Sequence, residues 1–136
     1  MFTMVRQAKD YVDKEGRDQG KRLNKALVLE NSMVDDLREV KTLMLRDKKI
    51  TVFEDNAKDG LNLDDLANIE CLFGSHNMIK DITGVCQLVT LVELNLSFNF
   101  ISDLTGLEEL TLLRSLFLSH NKIVIIEPLR NLKSLK

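Results

Sequence analysis

Several things are scarce in this 136-residue sequence. There is no tryptophan, and there are two cysteines, Cys71 and Cys86. Charge of one sign is missing as well: 19 Lys/Arg face 21 Asp/Glu, for a net charge of −2. A nucleic-acid binder would need a basic stripe, so that class is set aside. The first 39 residues are no basic arm either, with eight Lys/Arg and eight Asp/Glu. No run approaches the roughly 18 apolar residues of a membrane span. The opening MFTMVRQAKD lacks a signal peptide's apolar stretch. Free cysteines and no leader fit a reducing cytosol, so a cytoplasmic location is expected. No Ser/His/Asp cluster, phosphate loop or metal motif is found, so no enzyme activity, cofactor or metal is expected.

What is present is a repeat. Leu91, Leu94, Leu96, Asn99, Ile101, Leu104, Leu107 and Leu110 return 22 residues later as Leu113, Leu116, Leu118, Asn121, Ile123, Ile126, Leu129 and Leu132. The same frame one period earlier reads Ile69, Leu72, Gly74, Asn77, Ile79, Ile82, Val85 and Leu88. Within a unit, Leu94, Asn95 and Leu96 alternate as a short strand requires. Ile101, Leu104 and Leu107 recur about every three residues, which suits a 3₁₀ turn or short helix. One unit cannot bury both faces, so units must stack into a continuous core. Asn77, Asn99 and Asn121 are expected to form a ladder whose amides satisfy loop backbone groups.

This pattern, L-x-x-L-x-L-x-x-N-x-I, resembles the leucine-rich repeat family. It is similar to the 22-residue class found in the leucine-rich nuclear regulatory subunit of protein phosphatase 1 and in an axonemal dynein light chain. The resemblance covers Val40 onward, about 97 of 136 residues. It implies an α/β solenoid: a right-handed superhelix with short parallel strands on the concave face, 3₁₀ or short helices on the convex face, and an N-terminal helical cap. Units are expected to start at 40, 69, 91 and 113, with the start of a fifth at 135.

Residues 1–39 are not repeats and are expected to form the helical cap and a half-repeat. Val5, Ala8, Val12 and Glu15, with Tyr11 beside them, follow helical spacing up to Gly16. A frayed leader over residues 1–20 is the alternative. After the break at Gly20, Leu23, Ala26 and Leu27 predict the apolar face of a short helix within Lys21–Glu30. Ser32 with Asp35 is a weak capping signal. Val34 and Leu37 fit the half-unit that feeds the first strand.

The first full unit is long, 29 residues from Val40 to the residue before Ile69. Lys48 stands where asparagine is expected. The extra seven residues lie between Phe53 and Leu63 and predict a loop bulging from the return arc. Asp55, Asp59 and Gly60 have the spacing of a calcium loop's opening positions, but Ala57 and Leu66 occupy the places of essential ligands. A solvated turn, removable without loss of the fold, is therefore expected. At the other end Leu135 opens a unit that does not follow. An uncovered repeat edge predicts self-association through the last repeat, or fraying after Pro128. It also predicts a chain that is part of a longer protein.

Function is expected on the concave face, at the third, fifth, seventh and eighth positions of each unit. The fifth position is Met44, Phe73, Asn95 and Phe117, and the third includes Cys71 and Glu93. The seventh is Arg46, Ser75, Ser97 and Ser119, and the eighth is Asp47, His76, Phe98 and His120. Exposed aromatics on a face the core does not need mark an interaction site, here Phe73 and Phe117. Phe98 is expected to tuck behind the asparagine loop as a spine residue. His76 and His120 lie two strand spacings apart, roughly 10 Å, too far for one metal with Phe98 between them. Cys71 and Cys86 fall on the strand and the return arc, so no bridge is expected. The leading expectation is a non-catalytic module that binds a protein, in the cytosol, the cytoskeleton or the cilium. The resemblance implies a phosphatase, dynein or microtubule-associated partner. The chain lacks the acidic and Trp run that would favour a phosphatase regulator. A structural targeting or assembly segment of a longer protein is the third reading.

Overall fold

The computed structural model describes residues 21–136. The helix expected around Val5–Glu15 lies outside them.

Four three-residue strands form one parallel sheet. They are β2 (Thr42–Met44), β4 (Cys71–Phe73), β5 (Glu93–Asn95) and β6 (Ser115–Phe117), in that spatial order. Two short strands before and between them, β1 (Lys21–Arg22) and β3 (Ile50–Val52), pair separately and in parallel. The main sheet is in register residue for residue: Leu43 lies beside Leu72, Leu72 beside Leu94, and Leu94 beside Leu116. Leu43, Leu72 and Leu94 are fully buried. Their neighbours along each strand alternate outward, as the pleat demands. Burying each such leucine contributes about 1.5–3 kcal/mol.

A 3₁₀ turn precedes each strand of the main sheet, and a fifth follows the last. These turns are Leu37–Glu39, Leu63–Asp65, Val85–Gln87, Leu107–Glu109 and Glu127–Leu129. Leu37, Leu63, Val85 and Leu107 point inward from the first four. One continuous cluster of buried side chains runs from Leu23 to Leu132. Two return arcs repeat a local device. Asp81 accepts from the hydroxyl and N–H of Thr83, and Asp103 does the same with Thr105. These donors hold both carboxyls below their ordinary pKa.

Asparagines stitch successive units. The Asn99 amide donates to the carbonyls of Gly74, Leu96 and Ser97, while its oxygen accepts from the Ile79 N–H at 3.0 Å. Asn77 serves Leu45, Lys48 and Ile50 of the first unit in the same way. Asn121 serves Leu96 and Ile101. Lys48, at the asparagine position of the first unit, contributes its backbone N–H to Asn77.

The segment before the repeats differs from expectation. It enters extended: the Lys21 N–H donates to the Lys49 carbonyl and the Leu23 N–H to that of Val52. Helix α1 (Lys25–Glu30) therefore starts late, with Asn24 accepting from the Leu27 N–H. Leu23, Leu27 and Val28 are buried and Ala26 is exposed, so Val28 takes the place assigned to Ala26. Ser32 closes α1, its hydroxyl donating to the Val28 carbonyl. The side chain that opens the following 3₁₀ turn is Asp36, accepting from the Arg38 N–H.

The seven-residue insertion is not a free bulge. Asn56 and Leu61 pair as a small antiparallel bridge, and both are buried. The Asn56 amide donates to the Leu23 carbonyl. Asp59 accepts from the first N–H of α1, at Lys25, and Asp55 accepts from the Leu63 N–H. Asp55 and Asp59 are spent on backbone donors, Glu54 pairs with Arg22, and Leu61 is seated in the core while the tip, residues 57–60, is exposed. Deleting it would uncover Leu23 and the start of α1, so the expectation that it is dispensable is corrected.

At the last unit, backbone bonds continue to the Lys136 N–H, which donates to the Arg114 carbonyl. Leu132 is buried, whereas Val124, Ile125 and Ile126 are 88%, 66% and 67% exposed.

Candidate protein-binding face

The outward face of the main sheet is built from the residues flanking each buried leucine. Met44 is 52% exposed and Phe117 is 49% exposed, at opposite edges of the sheet. Phe73, Cys71, Glu93, Asn95 and Ser115 between them are half-buried. Parallel register places Met44, Phe73, Asn95 and Phe117 in one row across the strands. Asn95 is partly committed, since its oxygen accepts from the Ser97 N–H. Burial, together with the nearby Glu93 carboxylate, pushes the Cys71 thiol above its ordinary pKa. Deeper burial pushes Cys86 up to about 12. Both cysteines are free.

The seventh position divides: Arg46 and Ser119 are exposed as expected, whereas the two serines between them are not. Ser75 and Ser97 are buried where the chain turns off the sheet, and the Ser119 hydroxyl donates to that of Ser97 at 3.1 Å.

The eighth position holds the larger difference. Phe98 does not tuck behind the asparagine loop; it is 41% exposed. Its ring lies between two imidazoles, 4.3 Å from His76 and 4.1 Å from His120, with interplanar angles of 14° and 7°. The cause is backbone geometry. Asp47, His76, Phe98 and His120 all sit in the left-handed region, with φ of 56°, 58°, 60° and 56°. That conformation throws each side chain out of the core and over the equivalent one in the next unit, one strand spacing away. Arg46 extends the column, its Nε–H donating to His76 Nδ1 at 3.3 Å.

The sequence reading missed a second column, two residues further on. Met78 is 37% exposed and Phe100 41%, and the Lys122 ammonium lies 5.4 Å from the Phe100 ring centre. Reading the tenth position down the units, as was done for the third, fifth, seventh and eighth, would have found it. Among the described residues, no group of three His, Cys, Asp or Glu could hold a metal ion. No described helix is long and apolar enough to cross a membrane.

No family model matches the sequence and no curated protein matches it. Solved structures do. The chain is similar to an internalin, inlF, of Listeria monocytogenes str. 4b F2365, with 31% identity and a TM-score of 0.63 over 73% of this chain and 27% of that one. It is also similar to internalin C2 of the same strain, with 28% identity and a TM-score of 0.57 over 72% of this chain and 50% of that one. It thus spans half or less of the length of either.

Proposed function

We propose that this chain, a leucine-rich repeat protein as the internalins it resembles are, is a non-catalytic module that binds a protein through the concave face of its sheet. The likeness supports protein interaction in general terms. The observation that carries the specific reading is the row Met44, Phe73, Asn95 and Phe117. It holds large side chains at both edges that the core does not use. Glu93, His76 and His120 would add polar contacts around it. In this reading residues 1–39 lead into the repeats, α1 caps their first unit, and 40–136 form the domain. The right-handed sense of the superhelix follows from the strong preference of parallel crossovers. A phosphatase, dynein or microtubule-associated partner, and a cytoskeletal or ciliary place, rest on the family resemblance alone.

The test is Phe117→Ala. The side chain is half in water, so no core cavity opens and the melting temperature should stay within a few degrees. A partner captured by the wild type should bind the variant about 1–3 kcal/mol more weakly in a direct titration. Unchanged affinity would remove the argument, and so would a folding loss of about 3 kcal/mol or more, which would make Phe117 core.

A homodimer through the last unit is a second reading, favoured by the exposure of Val124, Ile125 and Ile126 beside the half-buried Leu116 and Leu118. Two copies meeting about a two-fold axis would cover that edge. Sedimentation velocity should then show a concentration-dependent dimer that Ile125→Glu abolishes; a single monomer peak at every concentration would dismiss it.

A further inference from the structure

We propose that the flank where the chain leaves the sheet is a second docking surface, adjoining the concave face at His76 and His120, and that its occupant is an acidic peptide segment carrying an apolar anchor. The inference does not depend on the sheet-face reading.

Charge comes first. The chain as a whole is slightly acidic, with 21 carboxylates against 19 Lys/Arg. The four segments that follow the strands, 46–50, 76–80, 98–102 and 120–124, reverse this. They carry Arg46, Lys48, Lys49, Lys80 and Lys122, and their sole carboxylate is Asp47. Five acids lie on the return turns, at Asp64, Asp65, Glu108, Glu109 and Glu127; Asp81 and Asp103, just past two of these segments, are each engaged by a threonine, and cations still outnumber carboxylates there. One flank of the solenoid is therefore basic, and it attracts a negatively charged partner.

The rings decide which kind. Exposed aromatics among cations are also what single-stranded nucleic acid uses, but there the bases stack on open ring faces. Here both faces of Phe98 are taken, by His76 and His120, and the Lys122 ammonium covers one face of Phe100. What Phe98 offers to solvent is its rim. Aromatic rims carry the positive end of the ring quadrupole and favour carboxylates and carbonyls over bases. With His76 Nδ1 accepting from Arg46, the ring's proton sits on Nε2, a further donor. Met78 and Phe100, adjacent and partly exposed, supply the apolar seat for an anchor.

The left-handed position belongs to the repeat, since Asp47, His76 and His120 share it; what is particular is the residue placed there. Histidine and aspartate are tolerated at positive φ, but a bulky aromatic there is an outlier, and Phe98 has φ 60°. The Phe98 N–H bond to the Ser119 carbonyl at 2.9 Å and the ring stack hold it there. Nothing in the core gains from placing that ring in water. Such strain collects where a surface is shaped for a contact.

The experiment uses the full chain against a displayed library of random twelve-residue peptides. Two further arms hold vesicles of phosphatidylserine and phosphatidylcholine, and oligouridylate. The expected result is enrichment of peptides with several Asp or Glu around a Leu, Phe or Trp. A synthetic copy should bind more weakly as salt rises from about 50 to about 300 mM. The pair Lys80→Glu with Lys122→Glu should weaken it at least about tenfold, and Phe100→Ser about fivefold or more, while Phe117→Ala stays within about twofold. All these side chains are exposed, so melting curves should overlay and certify folded variants. The proposal is overturned by enrichment without acidic residues, by no enrichment, by binding that only Phe117→Ala removes, or by vesicles or oligouridylate binding while acidic peptides do not.

Discussion

Gly84→Ala should destabilise the protein by about 3 kcal/mol or more, the upper range for forcing atoms into a filled interior. Backbone preference alone argues the other way. Gly84 has φ −64° and ψ −40°, a helical conformation. Replacing glycine there would ordinarily stabilise by about 0.4–1 kcal/mol through the unfolded chain. The sign reverses because of what lies beside it. A Cβ at Gly84 would stand 1.9 Å from the Phe53 carbonyl oxygen and 2.9 Å from its carbon, with Leu63 Cδ1 at 3.1 Å. The first two are backbone atoms and cannot rotate away, so the second unit must lift off the first. Urea unfolding followed by circular dichroism checks this. A variant as stable as the parent, or more so, would mean that the Phe53 carbonyl is not seated against Gly84.

Asn99→Ala should cost about 1–3 kcal/mol, the penalty for stranding buried backbone groups. Asn99 is 4% exposed and makes four bonds, and Ala offers none of them. Water cannot replace it without opening the loop, because Leu96 and Ile101 on either side are fully buried. The control is Lys48→Ala at the equivalent place in the first unit. There only the backbone N–H is bonded in the ladder, to Asn77, and Ala retains it. Near-wild-type stability is expected for that variant. Equal losses at the two positions in parallel denaturant melts would defeat the claim that the asparagine amide, rather than the turn itself, holds the loop.

The solenoid was legible because its signal is periodic. Leu94 and Leu116 lie one repeat apart in sequence and side by side in the sheet, so alignment of units is already a contact map. The sheet row from Met44 to Phe117 follows from the same arithmetic. Features that break the period were not legible. The insertion reads as polar and turn-rich, yet Leu61 is buried in the core cluster, and its bridge partner Asn56 bonds the carbonyl of Leu23, which lies outside any repeat. Ala26 and Val28 both suit a short amphipathic helix. The choice between them depends on the extended entry at Lys21–Arg22, which is set by pairing with Ile50–Val52. Phe98 was misplaced because hydrophobicity says that a phenylalanine prefers the interior, whereas its left-handed backbone puts the ring in water. Gly84 attracts no notice in the sequence; only the stacking of one arc on the next shows why a side chain is forbidden there.

The asparagine stitching has a direction. Each amide reaches backward: Asn77 holds loop groups of the first unit, Asn99 those of the second and Asn121 those of the third. Each amide also braces two carbonyls of its own turn, so what a unit receives from its successor is a second set of bonds. Losing the fourth unit leaves the Ile101 N–H without its Asn121 partner, while the Leu96 carbonyl keeps its bond from Asn99. Loss of the first unit deprives no later turn of its asparagine. The stack is thus polar in how its turns are braced: each asparagine steadies the rung before it and lends nothing to the one after.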